Sequence, residues 1–304
     1  MTAIAHPSPS RQAMLGGLLL AIVGAVFFSA KAIVAKLMYR YQVDAVMVIT
    51  LRMVFAFPMF LAVAIWKARS EPALARTDWV RIVVLGLTGY YLSSFLDFLG
   101  LQYISAGLER LILFLTPSFV MLIALFVFKR RVGWIEWIAL LVSYAGTVLV
   151  LMHDLHTGGG NVILGSALVL GSAFCYSIYL IGSGELVRRV GAIRLVAYAM
   201  CVSTVACVIQ FLLLRPPASL LTQVAGVYQL SLFNAVFCTV LPVFLTMIAV
   251  ARIGAPTAAQ AGLVGPVSTL FMGAALLDEP ITAIQLVGTA LVLSGIWLLS
   301  RKKA

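Results

Sequence analysis

Charge is scarce in this chain. Asp, Glu, Lys and Arg make up 10% of its 304 residues, whereas 63% are hydrophobic. So little charge among so many long apolar runs excludes a water-soluble globule and implies an all-α polytopic membrane protein. Cysteine is scarce as well: Cys175, Cys201, Cys207 and Cys238 all lie inside apolar runs. Their spacing fits neither a zinc site nor a disulfide framework, and they read as small packing residues. No polar stretch is long enough for a soluble domain, so the net charge of +11 does not point to nucleic acid. A phosphate-binding loop, a nucleophile elbow and a His-Glu-x-x-His motif are all missing. The chain is therefore expected to be no enzyme, to carry no cofactor or metal, and not to be driven by ATP.

The few charges are ordered. Ten apolar runs lie at residues 14–36, 45–66, 80–101, 105–128, 134–152, 162–183, 194–214, 228–251, 256–277 and 281–300. Each is close to the length that crosses a bilayer as a helix (~20 residues). Alternate connections hold the basic residues: Arg11; Lys67, Arg69, Arg76 and Arg81; Lys129, Arg130 and Arg131; Arg188, Arg189 and Arg194; Arg252; Arg301, Lys302 and Lys303. The other side holds only Lys36, Arg40, Arg110 and Arg215 near helix ends. Basic residues stay cytoplasmic, so both termini are expected in the cytoplasm, as an even number of crossings also requires. This bias accounts for the net charge, with membrane lipids, anionic headgroups among them, as its partners. Arg11 and the run after it resemble a signal peptide with Ala30-Lys31-Ala32 as a cleavage site. That run is too long for an h-region and belongs to the repeat described next, so it reads as retained.

The two halves match at a constant offset of 149 residues: Leu15-Gly16 with Leu164-Gly165, Ile104 with Ile253, Ala106 with Ala255, Pro117 with Pro266, and Gly146 with Gly295. The offset aligns five segments with five and needs no gap. The organisation read from it is a tail (1–13), a first five-helix repeat (14–152), a linker (153–161) with the flexible Gly158-Gly159-Gly160, a second repeat (162–300) and a tail (301–304). Five is odd, so the second copy enters the membrane from the opposite side. Ten transmembrane helices in two inverted repeats are the expected fold, and secondary transporters built this way bind substrate near the midplane between the halves. One chain contains both repeats, which suits a monomer.

Pro117 and Pro266 fall mid-way along segments 4 and 9 and match under the repeat, which suits hinges or cavity walls; a static packing bend is the alternative. Pro58 and Pro242 have no such counterpart. Ionisable residues at membrane depth are functional candidates. Lys31, with Phe27 and Phe28 on its face, could receive a carboxylate or snorkel to the headgroups. Tyr90, Ser94 and Asp97 form one stripe of segment 3. Glu109 and Arg110 open segment 4 but, being adjacent, diverge. With Arg52, three cations and two anions gather toward the outer third. Their counterparts at the 149 offset, Leu180, Thr246, Ala258, Ala259 and Cys201, carry no charge. Such a set either closes an outer gate through ion pairs or holds a zwitterion, Lys31 or Arg110 taking the carboxylate and Asp97 or Glu109 the ammonium. Segment 6 has a stripe of Ser172, Tyr176, Tyr179 and Ser183, segment 8 has Asn234 and Phe237, and segment 9 has Gln260. Polar groups among rings suit amphiphilic metabolites, and helix-to-helix hydrogen bonding is the alternative. His153, Asp154 and His156 read as a polar turn.

Ten segments in two inverted repeats, matched prolines in segments 4 and 9, the Lys129-Arg130-Arg131 turn and the Asp278-Glu279-Pro280 turn resemble the drug/metabolite transporter superfamily and its EamA-type exporters. Residues 278–280 carry the acidic-Glu-Pro turn recurrent in that family; the first repeat has basic residues in its place. The chain looks most like bacterial exporters of amino acids, the aromatic group included. The resemblance implies a cavity walled by helices 1, 3, 4, 6, 8 and 9, with 5 and 10 outside. The expectation is a bacterial inner-membrane exporter of amino acids or similar small metabolites. Tyr90, Ser94, Tyr176, Tyr179, Phe237, Lys31 and Asp97 would line its site, and Pro117, Pro266, Glu109 and Arg110 would gate it. A cationic-drug or sugar-metabolite transporter is the alternative, with a membrane enzyme or sensor behind it.

Overall fold

The computed structural model describes residues 11–129, 132–157 and 161–301. Arg130, Arg131, Gly158-Gly159-Gly160, Lys302 and Lys303 lie outside the described residues, as does most of the N-terminal tail. Among the described residues there are helices and no strands. The long helices are α1 (Arg11–Tyr39), α2 (Ala45–Ser70), α3 (Arg76–Leu101), α4 (Ala106–Phe128), α5 (Trp134–Thr157), α6 (Val162–Val190), α7 (Ala192–Leu214), α8 (Ala225–Ile253), α9 (Ala255–Ala261, then Val264–Leu277) and α10 (Ala283–Arg301). By length and composition eight of them, α1 to α8, can cross a membrane. The apolar helices Val264–Leu277 and Ala283–Leu299 are shorter. The two pieces of α9 run over residues 255–277, about 34 Å if stacked end to end.

The main helix pairs recur when the first five helices are exchanged for the second five. α1 packs on α8 and α9, and its counterpart α6 packs on α3 and α4. α2 meets α7 and α8 as α7 meets α2 and α3, while α4 lies on α9 and α5 on α10. Local irregularities obey the same exchange. α3 opens into a π-helical stretch at Leu87–Leu92 and α8 at Val236–Val240, two starts that are 149 residues apart. Lys129 and Asp278, equally spaced, both end their helices in the left-handed conformation, with φ of 51° and 61°.

α5 and α10 touch through glycine. A Cβ on Gly146 would stand 2.6 Å from the carbonyl oxygen of Gly288, so only the smallest residue permits the approach. Many large apolar side chains are exposed along the helices. All five tryptophans, Trp66, Trp79, Trp134, Trp137 and Trp297, are exposed and stand near helix ends beside the basic connections. Amphipathic rings collect at that level of a membrane.

Two sequence expectations change in detail. α5 continues to Thr157, so His153, Asp154 and His156 are helical; Asp154 accepts a 2.7 Å hydrogen bond from the Ser105 hydroxyl. The prolines do not bend continuous helices. α4 is broken at Phe114–Leu115 and α9 at Gly262–Leu263, and each proline stands just inside the helix that restarts. Proline suits that position, because its missing N–H removes nothing there and its φ is preset. The carbonyl of Leu113, four residues before Pro117, accepts from the Thr116 hydroxyl at 2.6 Å. The corresponding carbonyl of Gly262 accepts from the Gly265 N–H at 2.9 Å.

Candidate functional site

Between the halves lies a cavity of about 450 Å³. Its walls come from α1, α3, α4, α6, α8 and α9, joined by Arg52 and Met53 of α2 and Met200 of α7. Among the described residues, none of α5 or α10 lines it. Both helix breaks face it, through Phe114 and Thr116 on one side and Gly262 on the other.

Of the residues singled out in the sequence, Lys31, Tyr90, Ser94, Asp97, Arg110 and Tyr176 line this cavity. Tyr179 stands behind Tyr90. The Tyr90 hydroxyl donates to the Tyr179 hydroxyl at 3.1 Å, and the Tyr179 ring stacks on that of Tyr176. The π-helical stretch of α3 passes so close to α6 that a Cβ on Gly89 would lie 2.3 Å from that of Tyr179. Phe237 is not on the cavity wall. It is 39% exposed, with its ring against Phe27 and Phe233. The widened turn at Val236–Val240 changes the facing, and α8 presents Cys238, Thr239 and Val243 inward. Neither Pro117, which is exposed, nor Pro266, which is buried, is on the wall, and Glu109 is fully buried at 0% exposure.

The charged residues of the first half do converge. Lys31 is buried rather than snorkelling, its Nζ 2.5 Å from Asp97 Oδ2 and its charge over the rings of Phe28 (5.3 Å) and Phe98 (5.5 Å). Arg110 donates to the Ser29 hydroxyl at 2.7 Å and lies between Phe28 (5.1 Å) and Phe114 (5.5 Å). Arg52, 5% exposed, has its guanidinium 4.8 Å from the Phe98 ring centre, and its buried Nε has no acceptor. Glu109 lies beside the Asp97 carboxyl and within electrostatic range of Lys31 and Arg110, but no N–H or hydroxyl donates to its oxygens. Phe28 and Phe98 are thus the faces on which three cations rest, and their role had a sequence signal: Phe28 stands three residues before Lys31. Ser93 and Ser172 also reach the cavity, joined at 3.1 Å across α3 and α6.

Ion pairs tie helix ends together at both extremes of the bundle. Glu279, in the turn after α9, accepts from Lys36 Nζ at 2.8 Å and from the Ala106 N–H at 3.1 Å, joining α1, α4 and α9. Arg40 pairs with Asp278, and Arg215 with Asp44, on the same side. At the opposite ends Glu71 pairs with Lys67 and Arg194, and Arg189 with Asp78. The Lys67 hydrogen bond holds the Glu71 carboxyl below its ordinary value, against the smaller effect of burial. Among the described residues no cluster of His, Cys, Asp or Glu could hold a metal ion.

The sequence profile of the EamA-like transporter family matches the chain twice, over residues 15–152 and 163–301. The chain belongs to the EamA-like transporter family. It is 31% identical over 293 residues to "Uncharacterized transporter YcbK" of Bacillus subtilis (strain 168), covering 92% of this chain and 91% of that protein. An "Uncharacterized transporter" of Archaeoglobus fulgidus is 25% identical over 256 residues, covering 84% and 88%. A solved structure titled only "Crystal structure of protein" superposes with a TM-score of 0.66 at 16% identity, over 94% of this chain and 98% of that one. That likeness concerns the fold. Membership of the family makes the chain a multi-pass membrane protein of a transporter family, with its cavity at the junction of the two matched copies.

Proposed function

We propose that this protein exports amino acids or related small metabolites across the bacterial cytoplasmic membrane by alternating access. In this reading ten helices cross the membrane, both termini are cytoplasmic, and the second repeat is inverted relative to the first. A single observation carries it: a cavity walled by helices of both repeats, with polar groups among rings at Tyr90, Ser94 and Tyr176. Pockets of this size and character suit small amphiphilic molecules. The exchange symmetry of the packing supports the mechanism, because each repeat can adopt the arrangement the other leaves. The Glu279 contacts to Lys36 and Ala106 and the Lys31–Asp97 pair close the outer end, and the breaks before Pro117 and Pro266 are the points at which α4 and α9 bend.

A cationic drug is a poorer fit. Among the described residues the one carboxylate lining the cavity, Asp97, is already paired with Lys31. Counterflow of labelled amino acids into preloaded proteoliposomes tests the proposal. Saturable exchange is expected, reduced at least about tenfold by Tyr90→Ala with Tyr176→Ala, the cost of losing ~1.4 kcal/mol or more of binding. Exchange that is indifferent to both substitutions would remove the proposed site.

A further inference from the structure

The charges around the cavity do not cancel. Lys31, Arg52 and Arg110 bring three positive charges, while Asp97 and Glu109 bring two negative ones, so the cluster is positive by one even with both carboxylates ionised. Protonating Glu109 would only increase the imbalance. Lys31 spends its charge on Asp97 at 2.5 Å. The two guanidiniums differ: Arg110 is satisfied by one serine hydroxyl and two ring faces, Arg52 by one ring face, and each has a buried Nε without an acceptor. Both are 5% exposed, and both line the cavity.

An uncompensated cation in a low-dielectric site is unfavourable, and an anion brought to it recovers that penalty. Guanidiniums prefer planar oxyanions, which accept charge-assisted hydrogen bonds from their forks. A zwitterion would leave the excess charge in place, and a cation would add to it. The wall also presents the rings of Phe28, Phe114, Tyr90 and Tyr176 among small and aliphatic side chains.

We propose that Arg52 and Arg110 anchor a carboxylate, and that the cavity selects net-anionic carboxylic acids with an apolar or aromatic body over the corresponding zwitterions and cations. This rests on the reading of the cavity as the transport site and narrows its substrate class.

Three probes that share one phenyl ring separate the possibilities: phenylpyruvate (anion), phenylalanine (zwitterion) and phenethylamine (cation). Binding to the purified protein in detergent and counterflow in proteoliposomes are measured for each at pH 7.5. Phenylpyruvate is expected to bind at least tenfold more tightly than phenylalanine, with phenethylamine weakest. Arg52→Gln and Arg110→Gln should each weaken phenylpyruvate at least tenfold and narrow its advantage. The ranking of probes on the unaltered protein stands as a test even if a variant fails to fold. Preferential binding and exchange of phenylalanine or phenethylamine would overturn the carboxylate anchor and leave the transport reading intact. Binding of phenylpyruvate in the predicted order with no exchange of any probe would keep the anchor and overturn the transport reading. Neither binding nor exchange of any probe would overturn both.

Discussion

Lys31 and Asp97 are joined at 2.5 Å, both largely buried at the cavity wall, and each is costly without the other. Removing one member of such a pair is expected to destabilise by roughly 3–5 kcal/mol, because the remaining charge stays buried. Asp97→Asn or Lys31→Met should therefore lower the stability of the protein in equilibrium unfolding from mixed micelles, and the double variant should recover most of the loss. A double variant no more stable than the worse single one would contradict the pairing. Gly89 makes a second test. Gly89→Ala drives a methyl into Tyr179, for which overpacking costs about 1–3 kcal/mol. The nearest atoms are the Tyr179 Cβ and Cγ, which leucine and phenylalanine both keep, so neither Tyr179→Leu nor Tyr179→Phe should restore the thermal stability lost, and recovery with either would contradict the contact. Some of this scale was legible: Lys31, Asp97 and Arg110 stood out as charges within apolar runs, and all three line the cavity. The facing of Phe237 was not, since the π-helical turn that rotates it leaves no mark in an apolar stretch. Nor did Arg52 stand out as a cavity residue, because only the packing of α2 beside α8 brings it there.

At the scale of elements, the two broken helices and the turn after α9 carry the proposed movement. Glu279 fastens three helices through one carboxylate, receiving an ammonium and a backbone N–H at the first turn of α4. Glu279→Gln weakens both bonds, since charge-assisted hydrogen bonds are roughly twice as strong as neutral ones. Spin labels at Tyr103 and Ile281 should then show a longer-distance population that is small or missing in the parent protein. An unchanged distance distribution would mean that Glu279 has no part in closure. The paired prolines were visible in the sequence and correctly marked where α4 and α9 depart from regularity. Their action was less visible: a helix that stops and restarts requires the Thr116 hydroxyl and the Gly265 N–H as substitute donors, and neither is apparent from proline spacing alone.

For the whole molecule, the repeat was the most legible feature. The 149-residue offset that aligns Pro117 with Pro266 also relates the two π-helical stretches, the two left-handed helix ends and the pairwise packing of the halves. Few identities survive between the halves because lipid-facing positions accept any large apolar residue, while close approaches such as Gly146 on Gly288 do not. The charge asymmetry between the halves is the counterpoint, since it puts one cluster of ions in an otherwise symmetric bundle. Alternating access through the cavity is the central claim, and Ser94, on its wall, reports on it directly. With Ser94→Cys as the only cysteine, labelling by a membrane-impermeant maleimide is measured in right-side-out and in inverted vesicles. Labelling from both sides, with substrate changing the two rates in opposite directions, is the predicted result. Labelling from one side alone, whatever substrate is present, would contradict alternating access and leave a binding pocket that opens to a single compartment.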